Sequence, residues 1–186
     1  MEKHNIKDKD ELIRLIEALD VVDLCKILKQ LCEDENIAKL VSTMAKAKLS
    51  KVNSEEIAEE VFDSLNSIDV EDLWDNSGKT RYGYNDPGEV AFEMVENEVR
   101  PYINKMKQYN EVRMKVEEKE YCKGIIMGLL QYGDSGNNEF SEWCPDDPYT
   151  IADNIIYDWK KNHSQEDVEE IQEVYDSFFD YSDEIE

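Results

Sequence analysis

Nucleophilic catalysis needs a hydroxyl or thiol beside a base, and this sequence could supply the base from only two histidines, His4 and His163. His4 lies near the first residue and His163 at a predicted helix end, and neither has a plausible nucleophile nearby in sequence. Cys25, Cys32, Cys122 and Cys144 form no CxxC pair and no zinc-knuckle spacing, so they read as small buried thiols rather than as a metal centre or a disulfide framework. Cys25 and Cys32 fall on one helical face with Leu28, which predicts that they are buried together. Gly78, Gly83 and Gly88 follow no predicted strand and precede no GKS or GKT, so no phosphate cradle is expected. Asp134-Ser135-Gly136-Asn137-Asn138-Glu139 is too short, and wrongly ordered, for a calcium loop. The 45 acidic residues guarantee many adjacent carboxylates, which makes any single pair uninformative. The Glu-x-x-His pairs that hold two metals in carboxylate-rich helical bundles are missing. No catalytic residue, metal ligand or cofactor is therefore assigned.

What remains is a candidate binding surface. Trp74, Lys79, Arg81, Tyr82 and Tyr84 crowd one loop, and a second loop offers Phe140, Trp143 and the Cys144-Pro145 corner. Aromatic residues and arginine dominate binding hot spots, which makes Trp74, Arg81, Tyr82, Tyr84 and Trp143 the candidate contact residues. The competing reading is architectural: Trp74 and Trp143 plug the ends of helical layers, and Arg81 pairs with local acids.

The elements that would carry these residues are helical almost throughout. Leu12, Leu15, Ile16 and Leu19 form one apolar stripe, and Leu24, Ile27, Leu28 and Leu31 the next, after Asp20 as a cap. Ile37, Leu40, Val41 and Met44 continue the pattern. Asn53-Ser54-Glu55-Glu56 opens a helix that turns Ile57, Val61, Phe62 and Leu65 inward. Asp86-Pro87-Gly88-Glu89 starts a long helix over about 87–109, where Pro101 predicts a kink or break near Asn97. A second long helix is expected over about 111–132. Gly124 and Gly128 lie one turn apart on it, a pattern that calls for another backbone packed unusually close. Asp147-Pro148 and Ser164-Gln165-Glu166-Asp167 start the last two helices. The expected fold is all-α, with about eight helices in sequential antiparallel hairpins, as a helical array or an irregular bundle. It would form a single domain over 1–186, with a sub-division into 1–68 and 69–186.

Net charge is −24, which argues against binding nucleic-acid phosphates. Residues 1–52 hold ten basic and ten acidic side chains, so the whole deficit falls in residues 53–186, with eleven basic and thirty-five acidic. No stretch approaches the ~20 apolar residues of a membrane span. The N-terminus leads into charge rather than a signal core, and the expected location is the cytoplasm.

The acidic helix Glu55-Glu56-Ile57-Ala58-Glu59-Glu60, the aromatic loop Tyr82-Gly83-Tyr84 and the helix containing Glu120-Tyr121-Cys122-Lys123-Gly124 resemble the tetratricopeptide-like helical-repeat region beside the zinc module of SWIM zinc-finger proteins. The resemblance spans Ser54 to Tyr132. It implies a stacked-helix scaffold for protein contacts. The zinc ligands of that family are absent, so its nucleic-acid role does not carry over.

The function expected from the sequence is a non-catalytic protein-interaction module or scaffold whose acidic surface binds a basic protein partner. The alternative is an enzyme with an acid-lined pocket that uses a divalent metal, which would need carboxylates converging in a cavity. A third reading is a homo-oligomer in which the basic 39–51 segment meets the acidic C-terminal helix.

Overall fold

The computed structural model describes residues 7–81 and 83–182, which fall into two compact units divided between Leu49 and Ser50. Tyr82 and His4 lie outside the described residues.

The first unit holds α1 (Lys7–Glu17), α2 (Val21–Leu31) and α3 (Glu35–Leu49). Asp20 caps α2 by accepting from the Asp23 N–H at 2.8 Å, and Asp34 receives the Asn36 N–H at 2.8 Å at the start of α3. The stripes are helical as their spacing predicts, yet neither α2 nor α3 has a buried residue. Cys25 is exposed and Cys32 half-buried, which corrects the expectation of a buried cysteine pair. Their helix has too few partners within its unit to cover its apolar face.

The second unit contains the core. Its helices are α4 (Ser54–Asn66), α5 (Val70–Asn76), α6 (Pro87–Glu111), α7 (Lys115–Ser135), α8 (Asp147–Asn162) and α9 (Gln165–Ser182), with a 3-10 helix at Glu139–Trp143. A short antiparallel ribbon joins α5 to α6, where β1 (Gly78–Thr80) pairs with β2 (Gly83–Asn85) and Lys79 faces Tyr84. The sequence gives no alternating pattern that would announce these strands. They are three residues each, and Gly78 and Gly83, within the strands at φ of 87° and 152°, take backbone angles that glycine tolerates.

Asn53, Asp69 and Asp86 cap α4, α5 and α6 through their side chains, as short polar residues ahead of apolar periodicity should. At α8 the expected cap shifts by one residue. Asp147 is already helical, and Asp146 stands at the cap position without a side-chain bond. Helix α6 runs unbroken through Pro101. Pro101 and Asn97 are both exposed, so water can take the carbonyl that proline leaves without a donor. Helix α6 ends in a Schellman turn. The Met114 N–H donates to the Tyr109 carbonyl and the Arg113 N–H to the Asn110 carbonyl, each at 2.9 Å, with Arg113 in the left-handed region at φ 59°.

The protein is all-α, and its second unit is an irregular bundle around α7. Cys122, Ile125, Ile126, Leu129 and Leu130 of α7 are fully buried. Helices α4, α6, α8 and α9 all pack on it. Helices α6, α7 and α8 follow one another as antiparallel hairpins. Helix α4 departs from that scheme, because its main partner is α7, far along the chain, and the two run parallel. Ser54 and Ile57 face Gly124, and one turn later Ala58 and Val61 face Gly128. The two glycines admit α4 at this distance, which meets the expectation of a closely packed backbone.

Candidate functional site

The aromatic loop residues take separate places. Trp74 lies on α5, Arg81 in the ribbon turn, Tyr84 on β2 and Trp143 at the end of the 3-10 helix. The fold brings two of them together: the Trp74 and Trp143 rings meet edge to face, 4.6 Å between centroids at 83°. Each keeps substantial exposure, 47% for Trp74 and 40% for Trp143, while Tyr84 is 68% exposed and Arg81 also faces solvent. The tryptophan pair thus joins the two loops and still presents a wet aromatic edge.

A second place was hidden in the sequence. A groove of about 780 Å³ runs between α6 and α8, with Glu118 of α7 in its floor. Helix α6 lines it with Ile103, Met106, Lys107, Asn110 and Glu111, residues that recur at helical spacing along one face. Helix α8 contributes Ile151, Ile155, Asp158 and Trp159, and its end brings His163. The walls are therefore apolar in their depth and carry Glu111, Asp158 and, further along, Glu96 at the edges, against the single cation Lys107.

Glu118 is 3% exposed and is the only charged residue buried among the described residues. It sits in the first turn of α7, where the positive end of the helix dipole favours a carboxylate. One oxygen, Oε1, accepts from Asn110 Nδ2 at 2.8 Å and lies 3.0 Å from His163 Nε2. The other, Oε2, is buried and has no hydrogen-bond partner. His163 is held in turn, with its ring stacked on Trp159 at 3.5 Å and 3° and its Nδ1 3.1 Å from the Trp159 carbonyl. A buried carboxylate oxygen without a donor costs free energy of order 1–3 kcal/mol, more when charged, so this position favours an incoming donor.

Behind the groove, α9 is pinned by charge. Lys119 Nζ lies 2.6 Å from Glu170 and 3.2 Å from Asp167, and Lys123 lies 3.4 Å from Glu170. Its bond to Glu170 raises the Lys119 ammonium above its ordinary value. Ser164 and Lys119 lower Asp167, and Lys119 lowers Glu170.

The buried thiols are poor nucleophiles. Burial pushes Cys122 upward and raises Cys144 to about 12, so neither is a thiolate near neutral pH. Among the described residues no three His, Cys, Asp or Glu side chains converge on a common metal position, and no helix is long and apolar enough to cross a membrane. No protein-family model, no curated protein and no solved structure matches this chain.

The Glu118–His163 contact escaped the sequence because the two residues are 45 apart. The available signal was weak: a glutamate one turn before Cys122 on the face of α7 that otherwise carries apolar residues.

Proposed function

We propose that the chain is a non-catalytic interaction module of the cytoplasm that binds a basic segment of another protein, with the α6–α8 groove as the principal contact. The observation that supports this reading most is where the acids stand. Of the aspartates and glutamates whose side chains are described, only Glu118 is buried, and Glu96, Glu111 and Asp158 stand at the groove edges, so the negative charge forms a field over the surface and the groove rim. Such a field speeds the approach of a positive partner and discriminates against acidic ones. The groove adds apolar depth to that field, and Trp74, Trp143, Tyr84 and Arg81 offer a second contact beside the ribbon. The resemblance to helical-repeat scaffolds is in keeping with this role. The enzymatic alternative needs several carboxylates turned inward, and the groove floor has one.

Calorimetry with synthetic peptides of equal length, one lysine-rich, one neutral and one acidic, tests the proposal at low and high salt. The lysine-rich peptide should bind, with an affinity that falls as salt rises, and the others should not. Trp74→Ala and Trp143→Ala report on the ribbon contact, and Asp158→Asn and Glu111→Gln on the groove. Equal binding of all three peptides, or none by the basic one, would overturn the proposal.

A further inference from the structure

The groove is selective as well as acidic. We infer that its floor is a subsite for a single lysine side chain flanked by apolar residues, with the unpartnered oxygen of Glu118 as the acceptor. The inference rests on the proposed binding of a basic segment and adds which cation the site takes and how.

Three observations carry it. First, Glu118 Oε2 is a buried acceptor with no donor, in the floor of an open groove. Second, Oε1 of the same carboxylate is already engaged by Asn110 and His163. An arginine fork pairs best with both oxygens of a carboxylate, whereas an ammonium is a compact charge that one oxygen can hold. With a single oxygen left unpartnered, the geometry selects lysine over arginine. Third, Ile103, Ile151 and Ile155 line the approach, so a lysine stem and a neighbouring aliphatic side chain both find apolar wall.

Asn110 is exposed and donates to Oε1, so the outer donor on the carboxylate leaves Oε2 unpartnered. Lys107, exposed on the same wall, is the resident cation that an incoming lysine must displace or avoid.

The test is an NMR titration of the full chain, following the Glu118 carboxyl carbon and the Asn110 side-chain amide. The probes are acetyl-Ile-Lys-Ile-amide and the same peptide with arginine or norleucine at the centre. The lysine peptide should shift both signals, and norleucine should weaken binding about tenfold or more. Arginine should bind more weakly than lysine. Glu118→Gln should reduce the lysine peptide to the norleucine level, and Asn110→Ala, a change at an exposed position that takes a donor off Oε1, should narrow the preference for lysine over arginine. Arginine binding as well as lysine, or indifference to both substitutions, would overturn the inference. If lysine-rich peptides still bind in a salt-dependent way while neither substitution matters, the subsite fails and the acidic module stands. If no basic peptide binds at all, the broader reading fails first.

Discussion

Gly128 of α7 lies directly against Ala58 of α4: a methyl group on its Cα would stand 2.6 Å from the Ala58 carbonyl oxygen and 2.7 Å from Val61 Cβ. Both neighbours are rigid, one being backbone and the other a branched carbon beside it. Gly124 repeats the relationship one turn earlier, with Ile57 Cβ at 2.5 Å and the Ser54 carbonyl at 2.7 Å.

Gly128→Ala should therefore destabilise the protein even though alanine is the better helix former. The intrinsic gain is about 1 kcal/mol, against an overpacking cost near the upper end of its usual range, ~2–3 kcal/mol, because backbone must move. A net loss of about 1–2 kcal/mol is expected, read as a fall in thermal midpoint of roughly 2–8 °C. An unchanged or raised midpoint would mean that α4 does not pack on α7 at this distance.

Acid should loosen α9 before it unfolds the bundle. Asp167 and Glu170 are held below the ordinary carboxylate range, so their contribution is present above that range and lost as pH falls through the lowered values. Lys119 is raised, so its contribution is complete below the ordinary lysine value and lost only as pH rises through the raised one. Between these limits the contact is pH-independent. Lys119→Met should move the acid-unfolding midpoint to higher pH, and hydrogen exchange should place the change in α9. Identical acid limbs in the two proteins would refute the assignment.

Arg113 gives a prediction of opposite sign. It occupies the left-handed position of the turn after α6, where a side chain is strained and glycine is not. It is exposed at the surface. Arg113→Gly should stabilise by about 0.5–1 kcal/mol, the side-chain strain exceeding the extra unfolded-state entropy of glycine. Denaturant unfolding with an unchanged m-value would measure it.

The residues that act locally were legible in the sequence. Asp20, Asn53 and Asp86 cap the helices they precede, and Ile151, Ile155, Ile156 and Trp159 all face inward from α8 as their spacing requires. Periodicity names a buried face without naming what buries it. That is why Gly124 and Gly128 pointed to a close neighbour but not to α4, and why a parallel pairing replaced the expected succession of antiparallel hairpins at that point. The same limit hid the groove, since Glu118, Asn110 and His163 come from two helices and the end of a third. At Cys25 the stripe was correctly helical and its burial did not follow.

Asn138 shows what the parallel pairing means for the order of events as the chain is made. Its side-chain amide approaches the carbonyls of Leu65, Asn66 and Ile68 at 3.3, 3.1 and 3.1 Å, across 73, 72 and 70 residues of chain. The last turn of α4 is thus closed by a residue synthesised long after it, and its apolar face is covered by α7 over a similar interval. On the ribosome, α4 is complete while the surface it needs is still untranslated. Closing so long a loop before any contact repays it makes docking slow. During that interval Ile57, Val61 and Leu65 stay open to other chains, so chaperone demand and aggregation should be decided by how soon α7 arrives rather than by how readily α4 forms.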